Sequence, residues 1–303
     1  LQRAGETHLS ALTRLSCPRA DPMLNPTVSS LSAPDSVSAK KRYQAEACVA
    51  KHTGDRSEQQ DRAAVFAHPT RKGTLMAVLA DGMGGHSGGA MAAEQVILKA
   101  RQNFEAFAPA SESAPDLLRS IVDEAHIVIK LTRFTSEQDP HSTAVVFMMQ
   151  PDRADWAHCG DSRFYHFRSG VLVTRSVDHS LVEELVRKGR LDAEGALRHP
   201  NRNVLLSCLG SEREPRVDVG HASPLVGGDA FLLCSDGLWA YISEEETGHI
   251  LATQSPRDAA SALIELARQR AEGGGDNISL AIVKLVEVTP KPPQWGDFPK
   301  LGG

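Results

Sequence analysis

Short apolar runs broken by polar or glycine-rich turns recur through the middle of the chain. They predict strands over 45–52, 63–68, 74–80, 142–150, 154–158, 163–168, 217–221, 229–234 and 278–286, at spacings that suit hairpin and meander connections. Two longer stretches change period. Residues 91–107 and 115–134 place apolar side chains at helical spacing, most clearly Leu117, Leu118, Ile121, Val122, Ala125 and Ile129. Further helices are predicted over 180–188, 244–252 and 256–272. The last has Pro256 and Asp258 in its first turn and stops at Gly273-Gly274-Gly275. Strands in hairpins, with helices segregated from them, define an α+β layered sandwich. Residues 1–42, rich in Ser, Pro and Ala, read as a disordered tail. Residues 288–303, rich in Pro and Gly, read as a second tail. One domain over 43–287 lies between them, with no internal repeat.

Composition narrows the function. A chain of 303 residues with 41% hydrophobic and 23% charged residues has the length and balance for a sizeable core. The net charge of −5 and a pI near 6.2, with no Lys/Arg stripe interleaved with aromatics, argue against a nucleic-acid partner. No apolar run approaches the roughly 18 residues of a membrane span, and the first residues lack the apolar core of a secretory signal. The five cysteines form no CxxC pair, which argues against a disulfide framework or a cysteine zinc site and fits a reducing cytoplasm. The twelve histidines show no HxxxH or HExxH spacing, so a histidine-rich metal site is not expected.

Four aspartates bring chemistry into the pattern. Asp81, Asp161 and Asp236 each end an apolar run, and Asp276 stands just before one; each lies next to Gly, Ser or Asn. One such residue is ordinary turn chemistry. Four suggest carboxylates converging on one rim, where they cannot all stay ionised unless protons or cations compensate them. Hard divalent ions are the usual partners of such a donor set, so the chain reads as a metal-dependent enzyme acting on phosphate. The segment around Asp81, with Gly82, Gly84, Gly85, Gly88 and Gly89, lets backbone approach a ligand closely; the plain alternative is a flexible turn. Its spacing fits neither a P-loop nor GxGxxG. Arg56 offers a planar fork for a phosphate, and Gln60 and Asp61 follow it, although a solvated polar loop explains that stretch equally well. Asp178-His179-Ser180 reads as a helix cap at Asp178 or Ser180. Cys234-Ser235 has no paired histidine at a recognised spacing.

Taken in order, Arg56-x4-Asp61, Asp81-Gly82-x-Gly84-Gly85, Ser142-Thr143-Ala144, Gly160-Asp161-Ser162-Arg163, Asp178-His179-Ser180, Ser235-Asp236-Gly237 and Asp276-Asn277 resemble the metal-dependent Ser/Thr protein phosphatases of type 2C, in a bacterial form. The resemblance runs from about Ala45 to Val286. It implies a four-layer αββα sandwich of two antiparallel sheets flanked by helices, with a cleft at one edge. It implies hydrolysis of phosphoserine and phosphothreonine in proteins by a water that two Mn²⁺ or Mg²⁺ ions activate, without a phospho-enzyme intermediate. Carried over by position, Asp81 bridges two ions, Asp236 and Asp276 complete the first, and the Gly82 carbonyl reaches the second. Asp161 with Asp236 forms a weaker third site. Arg56 holds the substrate phosphate, and Asp61 orients the attacking water. Residues 187–203 correspond to a mobile flap. The implied partners are phosphorylated proteins, substrates of a Ser/Thr kinase, with no nucleic acid and no membrane.

Two positions depart from the family pattern. Gln60 stands where a glutamate ligates the second metal, which removes one negative charge and predicts weaker or more Mn²⁺-dependent binding there; Glu58 is placed to compensate. Met83 stands where some eukaryotic members carry a histidine proposed as general acid, and nearby His86 is not assigned that role. Gln60 also keeps a rival open, a pseudophosphatase that binds phosphoproteins or a kinase without turnover. The retained Asp81, Asp236, Asp276 and Arg56 speak against it. A small-molecule phosphatase with the same centre is a further alternative.

Overall fold

The computed structural model describes residues 8–9, 13–16, 43–84, 88–132 and 138–288. The chain runs through β1 (His8–Leu9), β2 (Thr13–Ser16), β3 (Tyr43–His52), β4 (Arg62–Ala67), β5 (Leu75–Ala80) and β6 (Gly82–Met83) into α1 (Gly88–Ala106) and α2 (Ala114–Thr132). It continues through β7 (His141–Ser142), β8 (Ala144–Met149), β9 (Ala154–Cys159), β10 (Arg163–Arg168) and β11 (Val171–Arg175). Two short helices follow, α3 (Leu181–Arg187) and α4 (Ala193–Arg198), then β12 (Asp218–Ala222) and β13 (Asp229–Cys234). Last come α5 (Asp236–Trp239), α6 (Glu244–Thr253), α7 (Pro256–Ala271) and β14 (Ile278–Glu287).

Two antiparallel sheets form the centre, one in the order β1-β3-β14-β13-β10-β11 with β2 also on β3, the other β12-β9-β8-β5-β4. Between them Leu79, Phe147, Phe164, Phe231, Leu233 and Val283 make a common core, with the Phe147 ring 4.8 Å from Phe231 and 5.7 Å from Phe164. The other face of the five-stranded sheet packs Val78 and Val146 against Val96, Leu118 and Ile121 of α1 and α2. The other face of the seven-stranded sheet packs Leu232 and Ile282 against Leu251 and Leu263 of α6 and α7. The layers are helix, sheet, sheet, helix, the four-layer α+β sandwich expected. With both faces covered, β5, β8 and β13 are buried at every position. That is why they read as continuous apolar runs rather than as an alternation.

The departures are local. β11 escapes the sequence reading because it is an edge strand with Val171 and Val173 exposed. α1 begins three residues earlier than predicted, at Gly88. Glycine disfavours a helix start on propensity, but here packing decides. A Cβ on Gly82 would lie 2.1 Å from the Gly89 carbonyl, so the helix start and the β6 backbone pack together without room for a methyl group. Of residues 1–42, β1 and β2 are described, both paired to β3. The remainder of that segment, the stretch beyond residue 288, and Gly85, His86 and Phe134 lie outside the described residues.

Register gathers the chemistry. Ile278 pairs with His52, Cys234 with Leu280, Arg62 with Ala80 and Ala144 with Cys159. The segments carrying Arg56, Asp61, Asp81, Asp161, Asp236 and Asp276 therefore emerge at the same end of the two sheets.

Candidate functional site

At that end a cleft of about 540 Å³ is lined by Arg56, Gln60, Asp81, Gly82, Asp161, Asp236 and Asp276, with Glu58, Met83 and Asn277 beside them. Every candidate from the sequence lines this cleft except Asp61. That carboxyl is buried beneath it, 1% exposed, and accepts a hydrogen bond from Ser235 Oγ at 2.8 Å.

Each carboxylate is held through its backbone. The Asp81 N–H donates to Thr143 Oγ1 at 2.9 Å, and its carbonyl accepts from the Thr143 N–H at 2.9 Å and from Ser142 Oγ at 3.1 Å. The Ser-Thr-Ala motif thus fixes the turn after β5. The Asp161 carbonyl accepts from the Trp239 indole N–H at 3.0 Å. The backbone N–H and the hydroxyl of Ser235 bond to β14: its N–H donates to the Ser279 carbonyl at 3.1 Å, and Ser235 Oγ accepts from the Ser279 N–H at 3.0 Å. After α7 a left-handed Glu272 (φ 48°) and Gly273 (φ 86°) turn the chain into Asp276.

Asn277 is the clamp of the site. Its Oδ1 accepts from the Gln60 N–H at 2.7 Å, and its Nδ2 donates to the carbonyls of Thr53 at 2.8 Å and Glu58 at 2.9 Å. One amide side chain thereby ties the Arg56 loop to the start of β14. Replacing Asn277 by Ala removes three hydrogen bonds and leaves part-buried backbone groups without these partners. The expected result is a loss of about 2–3 kcal/mol of stability and a fall in kcat/KM of roughly 10–100-fold, as for groups that orient metal ligands. Chemical denaturation and phosphopeptide kinetics measure the two.

The electrostatics are those of crowded acids. Burial, with the charges of Asp236 and Asp276, pushes the Asp61 carboxyl up to about 8. Burial and the charges of Asp61, Asp236, Asp161 and Asp276 hold Asp81 well above the ordinary carboxylate range. Asp161 is pushed to about 8 by burial and by Asp236 and Asp178. Asp236 rises to about 6 through burial and Asp276, against the opposing pull of the Gly237 N–H, Arg56 and Arg202. Arg56 Nη2 lies 2.7 Å from Asp276 Oδ2 and is the one cation in ion contact with these acids among the described residues. Carboxylates at this density, with the carbonyl of Gly82 and the amide of Gln60 on the same wall, form an all-oxygen donor set that suits Mg²⁺ or Mn²⁺. The structure thus fits the divalent ions that the resemblance implies.

The remaining motifs have supporting roles. Asp178 grips Arg163 with two bonds at 2.8 and 2.7 Å, His179 exchanges backbone and ring bonds with Gly160, and Ser180 caps α3. Tertiary folding also brings His158, His179 and Asp218 within ligand distance of one another, which no sequence spacing announced. However, His179 Nδ1 accepts from the Gly160 N–H at 3.3 Å, which places the ring proton on Nε2, 3.2 Å from Asp218. That nitrogen then has no lone pair for a cation. Thr143 and Asn277 stood in motifs that the sequence singled out, but their bonds to Asp81, Gln60, Thr53 and Glu58, and that of Trp239 to Asp161, were not legible because these partners lie far away in sequence.

A four-layer αββα sandwich with a carboxylate cleft and an arginine at its rim defines a metal-dependent phosphatase. Residues 50–270 match the family model described as Protein phosphatase 2C. The chain is 32% identical over 234 residues to the serine/threonine phosphatase stp of Listeria monocytogenes, covering 76% of this chain and 91% of that protein. It is 31% identical in sequence to the solved serine/threonine phosphatase of S. agalactiae, with a TM-score of 0.72 over 80% of this chain and all of that one. The catalytic domain of PstP, solved in complex with two manganese ions, aligns with a TM-score of 0.63 at 29% identity over 80% of this chain and 99% of that one. The chain belongs to the protein phosphatase 2C family.

Proposed function

We propose that this chain hydrolyses phosphoserine and phosphothreonine in proteins at the cleft between its two sheets. The observation that carries this reading is the convergence of Asp81, Asp161, Asp236 and Asp276 with Arg56 on one cavity. Asp81, Asp236 and Asp276, with the Gly82 carbonyl, would hold two divalent ions, Mn²⁺ or Mg²⁺, and Asp161 with Asp236 a third. Such ions, when bound, lower the pKa of water and neutralise charge on phosphoryl oxygens.

The protein's own groups do the rest. Arg56 is anchored through one Nη2 bond to Asp276, and its fork has further N–H donors for a phosphoryl oxygen. Asp61, held by Ser235, has its affinity for a proton raised to the neutral range. That proton affinity is a property of the metal-free protein; from beneath the cleft the Asp61 carboxyl can bias the orientation of water above it. Nucleophilic side chains are withheld: Ser235 is fully buried and committed to Asp61. Burial pushes the Cys159 thiol up to about 12 and raises that of Cys234 as well, so neither offers a thiolate. Direct attack by water, without a phospho-enzyme intermediate, is what the family resemblance implies, and the withheld Ser235, Cys159 and Cys234 are in keeping with it. Kinase-phosphorylated proteins in the cytoplasm are the natural substrates of this reading. Among the described residues no helix is long and apolar enough to cross a membrane.

The test is phosphate release from a phosphothreonine peptide at about pH 8 with Mn²⁺, with Mg²⁺ and with EDTA. Metal-dependent turnover is expected, with Mn²⁺ the better ion because Gln60 contributes no charge. Folded protein silent with both metals would defeat the reading in favour of phosphoprotein binding without turnover. Equal activity with both would remove the role given to Gln60.

A further inference from the structure

A second cavity, about 410 Å³, opens from the phosphate cleft and shares Arg56, Asp161, Asp236 and Asp276 with it. One wall is the α3–α4 segment, through Val182, Val186, Ala196 and Leu197; the other is the corner after α5, through Trp239 and Tyr241. The two walls differ in kind. No residue of α3 is fully buried, and Leu197 on α4 is 55% exposed, although the segment presents aliphatic side chains to the cavity. Both helices are short, and nothing in the described fold covers their apolar side. Exposed aliphatic clusters of this sort mark binding sites.

The facing aromatic wall is rigid. The Arg163 guanidinium lies 3.6 Å from the centre of the Trp239 ring and is itself locked by two bonds to Asp178. The indole N–H is spent on the Asp161 carbonyl. An indole fixed at one face and at its polar edge is a preorganised apolar surface. The charged groups in the walls do not invite an acidic guest. Arg163 is paired with Asp178, Arg175 is 2.9 Å from Glu244 and Arg56 is 2.7 Å from Asp276; Arg202 donates to the Leu197 carbonyl at 3.2 Å, and Glu183, Asp161 and Asp236 add negative charge to the lining.

We propose that this slot receives a bulky apolar side chain next to the phosphorylated residue of the protein substrate. The inference rests on the phosphatase reading above and adds a preference to it. The slot is continuous with the cleft, so one extended peptide reaches both. Its walls are aliphatic on one side and aromatic on the other, which fits leucine, methionine or phenylalanine and not glutamate. Val186, Leu197 and Trp239 are the residues that set specificity.

The probes are phosphothreonine peptides that differ only in carrying Leu, Ala or Glu at each of the two positions on either side of the phosphoresidue. The readout is kcat/KM. Leu is expected to exceed Ala by about tenfold at one position, the usual worth of a filled apolar pocket, with Glu no better than Ala. Within the Val186→Ser/Leu197→Ser double variant the Leu-to-Ala ratio should fall towards one. It should persist in Leu131→Ser, an exposed residue of α2. Should circular dichroism show the double variant unfolded, Leu197→Ser alone makes the same test, since that side chain is exposed. A ratio near one at every position in the wild type, a ratio that survives in the slot variants, or a preference for Glu overturns the proposal while leaving the phosphatase in place. Absence of turnover on every peptide and on p-nitrophenyl phosphate removes the phosphatase reading, and the slot with it.

Discussion

Asp236→Asn is expected to lower kcat/KM on a phosphothreonine peptide by roughly 10³-fold, the scale on which removal of one group that stabilises transition-state charge is felt, while the apo protein becomes more stable. The two effects have one cause. Asp236 lies among carboxyls and helps raise the proton affinity of Asp61, Asp81 and Asp161. It tolerates ionisation better than they do, with a value near 6, because the Gly237 N–H, Arg56 and Arg202 favour its charge. At neutral pH it is thus more readily available to a cation than Asp61, Asp81 or Asp161. An asparagine keeps the volume and loses the charge, so it weakens cation binding and relieves repulsion together. A gain of about 1 kcal/mol corresponds to roughly 2–4 °C in Tm for a domain of this size. Peptide kinetics and thermal unfolding in EDTA at about pH 8 measure the pair. A variant with lower activity and lower apo stability would mean that Asp236 is a structural residue whose loss damages the fold.

The second large effect links pH, metal and stability. A carboxyl whose pKa is higher in the folded protein than in the unfolded chain holds its proton more tightly when folded. Its contribution favours folding at acid pH and is lost as pH rises from about 4, the unfolded value, through the folded one. For Asp236 that loss extends to about 6, and for Asp61 and Asp161 to about 8. Buried histidines act in the opposite sense: burial lowers His158, and burial together with His158 lowers His179 to about 4. Their stabilising contribution is complete above the unfolded value of about 6.5 and fades below it. Between about pH 6.5 and 8.5 the aspartates alone therefore set the slope among these groups, and metal-free protein should lose stability as pH rises.

Divalent ions should reverse that slope. An ion at 100 times its Kd adds about 2.7 kcal/mol, which is roughly 5–10 °C in Tm for this chain length. The increment should be larger at the alkaline end, where fewer protons compete for the carboxylates. Melting curves with EDTA and with Mn²⁺ across that window read the result directly. An increment that does not depend on pH would place the bound ion away from the aspartate cluster.

Most of the candidate site was legible because each carboxylate is announced locally. Asp81, Asp161 and Asp236 follow apolar strands and Asp276 precedes one, and a strand followed by a small-residue turn is a short-range signal. The layers were legible for the same reason, since burial on both faces leaves continuous apolar runs in β5, β8 and β13. The early start of α1 was not, because glycines there serve a contact with Gly82 that propensity does not register. β11 was missed because an edge strand with exposed valines carries no burial pattern.

The sequence by itself determined where the acids stand along the chain and which of the long buried segments are strands or helices. Only the tertiary structure decided that Asp61 lies beneath the cleft while its neighbour Gln60 lines it. It alone decided that Asn277 joins two loops more than two hundred residues apart, and that Trp239 is pinned between Arg163 and the Asp161 carbonyl. The physical reason is range. Turn and strand preferences act over a few neighbouring residues, whereas burial, proton affinity and clamping depend on which distant segments strand register sets side by side.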